Sequence, residues 1–155
     1  MEFEIRNARD DDRLPLAVLL EQVAEERYGI ATEPPVYVEA EAARWTPEGT
    51  LVAVTNAEIV GSLIVEASRF GFGKVAMLVA PEWRRRGVGS ALVAAGIEWA
   101  RQRGLHKLTL SVFPHNTAAI GLYRKFGFVE EGRRIKQFRR ASGDLWDAIE
   151  MGLLL

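Results

Sequence analysis

Apolar positions change period along the chain, and each change marks an element. Phe3 and Ile5 alternate with Glu4 and Arg6, the period-2 pattern of a strand. Leu16, Leu19, Leu20 and Val23 then recur at helical spacing. Asp10-Asp11-Asp12 before them suits a solvated helix start, because carboxylates favour a first turn, and Pro15 fits an early helical position. Tyr28 to Pro35 is rich in breakers and reads as a loop; Val36 to Trp45 predicts a second helix with Val38, Ala42 and Trp45 on one side. Thr50 to Thr55 and Ile59 to Ala67 read as an antiparallel pair turned at Asn56-Ala57-Glu58, and Gly61 marks a bulge or a close backbone approach.

Past Phe70-Gly71-Phe72-Gly73 comes the apolar run Lys74 to Ala80, a central strand. A basic turn follows, and then a helix packed through Val88, Leu92, Val93, Gly96, Ile97 and Ala100 and capped by Gly104. Lys107 to Val112 is a strand. Ala119, Leu122, Tyr123 and Phe126 stripe another helix, capped by Asn116 or Thr117 and ended by Gly127. Val129 to about Phe138 and Leu145 to Leu153 form a closing hairpin around Ser142-Gly143-Asp144. The order β-α-α-β-β-β-α-β-α-β-β predicts an α/β fold, one domain over residues 1–155 with a mixed β-sheet flanked by helices.

The stretch Lys74 to Gly104 carries the chemistry. A helix start leaves about four N–H groups unpaired and about half a positive charge. Gly87 and Gly89 let a phosphate approach those groups without meeting a Cβ atom, and Arg84, Arg85 and Arg86 add positive charge. The pattern predicts a cradle for a pyrophosphate. The Walker loop needs Lys-Ser/Thr after its last glycine, whereas Ser90-Ala91 follows Gly89. The dinucleotide fingerprint needs a third glycine where Leu92 stands and a carboxylate ending the next strand, which Lys107 to Val112 lacks. A glycine-capped helix beside a basic surface turn is the bland alternative.

Composition narrows the partners. Of the 155 residues 48% are apolar and 26% charged, enough for a core and a solvated surface. The net charge of −1 argues against nucleic acid as the main partner. Without cysteine there are no disulfides, thiolate metal sites or cysteine nucleophiles, and two histidines, His106 and His115, are too few for a histidine zinc site; no metal is expected. No apolar run approaches a membrane span and the N-terminus has no signal-peptide pattern, so a cytoplasmic protein without a membrane partner is expected.

The stretch Arg84-x-x-Gly87-x-Gly89, after a strand ending in Val79-x-Pro81, resembles the coenzyme A loop of the GCN5-related N-acetyltransferase (GNAT) superfamily. Asn116-x-x-Ala119-Ile120-x-Leu122-Tyr123-Arg124-Lys125-Phe126-Gly127-Phe128 resembles the second coenzyme-binding motif of the same superfamily, in the order that family requires. The resemblance runs from about Thr50 to the C-terminus. The ending Asp144-Leu145-Trp146-Asp147-x-x-x-Met151 is similar to that of members acting on small amines or amino acids.

The resemblance implies an acyl-CoA N-acyltransferase-like fold with acetyl-CoA as co-substrate. It implies that Met77, Leu78 and Val79 bond the pantetheine, that Arg85, Arg86, Gly87, Val88, Gly89 and Ser90 hold the pyrophosphate, and that Asn116 holds the coenzyme's arm. Tyr123 would be the proton donor to the leaving thiolate. Pro81 supplies a physical companion to this picture. It cannot donate to a ladder, so a neighbouring strand must stop or splay, and pantetheine's two amides can pair with the freed groups. The N-terminal helix–loop–helix would form much of the acceptor pocket, with Tyr28, Glu33, Tyr37 and Trp45 as lining. The family's usual glutamate base is missing, since Ser111 stands at its position before Asn116 and the central strand offers only Val75, Ala76, Met77 and Leu78. His115, Glu33, Glu66 or a chain of waters remain.

An amine must be neutral to attack a thioester. A lysine-type amine near about 10.4 is almost wholly protonated at pH 7, whereas an α-amine near about 7.7–8.0 needs less help. The missing base therefore favours an α-amine. The expected reaction is direct acetyl transfer to a primary amine of an amino acid, a small amine or a peptide N-terminus, with no metal and no covalent enzyme intermediate, and a homodimer is allowed for. Two rivals stand beside it: a non-catalytic acyl-CoA-binding or sensing module, suggested by the missing base, and a phosphate-binding interaction domain, suggested by the arginines alone.

Overall fold

The computed structural model describes residues 2–155. In chain order its elements are β1 (Glu4–Asn7), α1 (Arg13–Ala24), α2 (Val38–Arg44), β2 (Thr50–Thr55), β3 (Glu58–Ala67), β4 (Phe72–Val79), α3 (Val88–Gln102), β5 (Lys107–Val112), α4 (Thr117–Lys125), β6 (Val129–Arg139) and β7 (Leu145–Leu154). Order and type agree with the sequence expectation. The second helix is shorter than Val36 to Trp45 and buries none of its residues. Asp12 departs from a solvated helix start: it is buried, takes two bonds from Arg6 at 2.7 and 3.0 Å and one from the Arg9 N–H at 2.7 Å. An ionised carboxylate tolerates burial only with such partners.

Among the described residues the strands form a seven-stranded sheet in the order β1-β2-β3-β4-β5-β7-β6. The pairs are antiparallel except β4 with β5, which is parallel. The closing hairpin inserts its second strand, so β7 lies inside and β6 at the edge.

Side chains alternate across a strand, and this decides which helix each residue meets. A Cβ on Gly61 would lie 2.8 Å from Val88 and 3.1 Å from Leu92, and one on Gly96 would lie 2.7 Å from Leu63. Gly61 and Gly96 thus let α3 seat closely on β3. The same strand carries a bulge: Ala53 pairs with Gly61 but Val54 with Ile59, leaving Val60 extra. Both readings of Gly61 hold. Helix α1 packs on β3 and β4, and α3 on β2 and β3. Among the described residues no helix is long and apolar enough to cross a membrane.

Candidate active site

The parallel ladder between β4 and β5 is short. It pairs Phe72, Gly73 and Lys74 with Lys107, Leu108 and Thr109 and then stops, although β4 continues to Val79 and β5 to Val112. The outer partners stay matched, to Gly61↔Val79 on one side and Val112↔Ile149 on the other. The two strands therefore diverge. The split opens well before Pro81, so proline is not its cause. Each strand follows its antiparallel neighbour, and the weaker parallel interface yields.

Backbone direction sorts the residues along the split. In an antiparallel pair, successive residues direct their N–H and C=O groups alternately toward one neighbour and the other. Ala80 donates to the Val60 carbonyl at 2.8 Å, so Leu78 and Ala76 share the β3 side and Met77 and Val79 face β5. Of the three pantetheine residues expected from sequence, Met77 and Val79 offer backbone groups to the split. Leu78 spends its own on β3, and its side chain is buried. Leu155 donates to the His106 carbonyl at 2.9 Å, which by the same alternation turns Ser111 toward β4.

The turn after β4 leads to the start of α3. Arg85 has φ 62° and Gly87 φ 86°, both left-handed, and such alternating turns point successive N–H groups into one concavity. Gly87 is the N-cap of α3 without a side-chain cap, and the first helical bond runs from Ala91 N–H to Gly87 C=O at 3.0 Å. Val88, Gly89 and Ser90 precede that bond, so their N–H groups have no intrahelical partner. The two glycines differ. A Cβ on Gly87 would meet nothing within 4 Å, whereas one on Gly89 would lie 3.0 Å from Leu122 and 3.6 Å from Met77. Gly87 serves the turn, and Gly89 serves the contact of α3 with α4 and β4.

The three arginines also separate. Arg84 is committed to the fold, with bonds to Glu26 at 2.8 and 2.6 Å and to the Val79 carbonyl at 3.2 and 3.1 Å. It ties the end of β4 to the residues after α1 and removes one acceptor from the split. Arg86 lies 4.6 Å over the Trp83 ring and 3.6 Å from Glu2. Arg85 is exposed and, among the described residues, makes no ion pair. Lys125 Nζ donates to Ser90 Oγ at 3.1 Å, a cation at the cradle that the sequence reading did not count.

Helix α4 closes the site. Asn116 caps it through Oδ1, which accepts from Ala119 N–H at 3.4 Å. Tyr123 is 7% exposed and its ring packs 5.6 Å from that of Phe128. Among the described residues its hydroxyl makes no hydrogen bond, yet no buried side-chain polar atom lacks a partner. The ring is therefore packed while the hydroxyl keeps some access to solvent. Burial pushes the phenol up to about 12, so it keeps its proton at neutral pH.

The loop between α1 and α2 is latched down. Tyr28 Oη donates to the His115 carbonyl at 2.9 Å, and His115 Nε2 lies 2.7 Å from the Tyr28 carbonyl. Arg140, 4% exposed, donates to the carbonyls of Ala31 at 2.9 Å and Ile30 at 3.4 Å and lies 4.2 Å over Trp146. Glu33 accepts from Ala141 N–H at 2.8 Å, and that bond, then Arg140 and Arg27, hold its carboxyl below the usual range. His115 and Glu33 are thus structural partners rather than free bases. Glu66 pairs in register with Lys74, at the closed end of the split. Tyr37 is exposed, and the Trp45 carbonyl accepts from Arg13.

Ser111 donates its Oγ proton to the carboxylate of Glu150. Glu150 stands directly across on β7 and also accepts from Arg134 Nε at 3.2 Å. With Thr109, Glu131 and Arg134 it lines a cavity of about 470 Å³. A lone carboxylate inside Ala148-Ile149-Glu150-Met151 was the sequence signal for it.

A family model described as Acetyltransferase (GNAT) family matches residues 16–128, and the chain belongs to that family. The ribosomal-protein-alanine N-acetyltransferase of Brucella melitensis has the same fold, with TM-score 0.88 and 27% identity over 98% of this chain and 99% of that one. The L-amino acid N-acetyltransferase AaaT of Escherichia coli K12 is 33% identical over 109 residues, 65% of either chain. Mycothiol acetyltransferase of Paenarthrobacter aurescens is 40% identical over 93 residues, 54% of this chain and 28% of that one. The matches span less than two thirds of the length of these curated relatives.

Proposed function

We propose that this chain, as one acetyltransferase domain over residues 1–155, moves an acetyl group from acetyl-CoA directly to the α-amino group of an amino acid or peptide. The observation that carries the reading is the split between β4 and β5 beside the unpaired N–H groups of α3. Pantetheine amides fit Met77 and Val79 as an added strand. A pyrophosphate fits the N–H groups of Val88, Gly89 and Ser90, with Arg85, Arg86 and Lys125 supplying charge. Asn116 flanks the coenzyme's arm. In this reading the Val79 N–H binds the charge that grows on the thioester oxygen, and the Tyr123 hydroxyl protonates the leaving thiolate. The ammonium loses two protons in the whole reaction, the thiolate gains one, and one reaches solvent.

The choice of an α-amine is supported by two relatives named for amino-acid and protein-alanine acceptors. Such an amine also asks less of a base. The test is release of free thiol from acetyl-CoA with a panel of free amino acids, alanine-starting peptides and lysine-type amines. The expected outcome is turnover confined to α-amines. A sensing module would bind coenzyme A and turn over none of them.

A further inference from the structure

We propose that Glu150, acting through Ser111, is the proton acceptor of this site; the inference rests on the acetyl-transfer reading above. Three observations converge. The Ser111 backbone groups face the split where β4 and β5 have parted, which brings this residue to the edge along which a thioester bound to Met77 and Val79 would lie. The Ser111 hydroxyl already donates to Glu150, so its lone pairs are free to accept a proton from an arriving ammonium. Glu150 reaches the cavity of about 470 Å³, a way out to solvent.

The proton path is short. An ammonium N–H bond breaks and its proton goes to Ser111 Oγ, while the serine's own proton passes to the free Oε2 lone pair of Glu150. The amine is left neutral and the carboxyl protonated, and the carboxyl returns its proton to water in the cavity. Arg134 holds the other carboxylate oxygen and orients the pair. The other charges near Glu150 are already paired: Lys107 of β5 with Glu131 of β6 at 2.9 Å, and Arg133 of β6 with Asp147 of β7 at 2.8 Å. An α-amine gives up its proton more readily than a lysine-type amine by about two and a half pKa units. A carboxylate relay is thus matched to the α-amine acceptor.

The test compares Glu150→Gln and Ser111→Ala with the unaltered protein from pH 6.5 to 9.5. The acceptor is the α-amine, among free L-amino acids and alanine-starting peptides, that the unaltered protein acetylates best. Both variants should lose roughly 10²-fold or more in kcat/KM at pH 7. The loss should shrink as pH passes the amine's own pKa, about 7.7–8.0, because water then neutralises the amine. Coenzyme A affinity, read by calorimetry, should stay unchanged. Ser111 is exposed, so its variant folds even if loss of the Glu150–Arg134 pair harms the other. A loss equal at every pH, or no loss in the Ser111 variant, overturns the relay. Failure of the unaltered protein on every amine overturns the acetyl-transfer reading itself, and the relay with it.

Discussion

Gly87 and Gly89 read alike in the sequence and differ in the fold. Both were legible as openers of a helix; only the neighbouring helix reveals that Leu122 fills the space where a Gly89 side chain would go. Gly87→Val should weaken coenzyme A binding and cost about 1–2 kcal/mol, because φ 86° suits no branched residue. Gly89→Val should cost about 1–3 kcal/mol by overpacking against Leu122. Calorimetry and chemical denaturation separate the two effects. Tyr123 was legible as a helix-stripe residue, but not its unpartnered hydroxyl. With no protein partner to lose, Tyr123→Phe should leave stability nearly unchanged at neutral pH and lower turnover by roughly 10²- to 10⁴-fold. Its pKa also fixes a sign. The unfolded phenol ionises near 10 and the folded one near 12, so above pH 10 the unfolded state holds fewer protons and stability falls with rising pH. The fall should total about 2–3 kcal/mol by pH 12 and be absent from Tyr123→Phe, as denaturation across that range would show.

Elements were legible where a period or a capping residue marks them: α3 buries every residue of its stripe, whereas α4 buries Tyr123 and, off the expected stripe, Ile120, with Ala119, Leu122 and Phe126 half-buried. What holds the α1–α2 loop was not legible, because Arg140 and Ala31 meet only through the closing hairpin. The same distance hid the fold role of Arg84, whose partner Glu26 follows α1. Glu150 was not legible because it reaches Ser111 only once β7 slips between β5 and β6. Arg140 is buried against two aromatic rings and satisfies two loop carbonyls. Arg140→Ala should cost about 2–4 kcal/mol through unsatisfied carbonyls and lost packing. The melting temperature should drop by roughly 5–15 °C. An unchanged melting temperature would show that the latch does not bear on stability.

At the scale of the whole molecule, the order of elements was legible and the order of strands was not, since pairing between distant segments leaves no local mark. A splay was expected from Pro81, yet it opens at Lys74 and Thr109, where two antiparallel half-sheets pull apart. That opening is what joins the fold to its proposed use, and backbone amides report on it directly. In the free protein the Met77 and Val79 amides should exchange with deuterium fast for residues inside a sheet, while that of Leu78, bonded to β3, exchanges slowly. Adding coenzyme A should slow Met77 and Val79 markedly, together with Val88, Gly89 and Ser90, and leave Leu78 as it was. The decisive measurement is therefore residue-resolved amide exchange with and without coenzyme A. Protection gained at those five amides is the predicted result; protection gained elsewhere, or none at saturating coenzyme, would contradict the placement of the site.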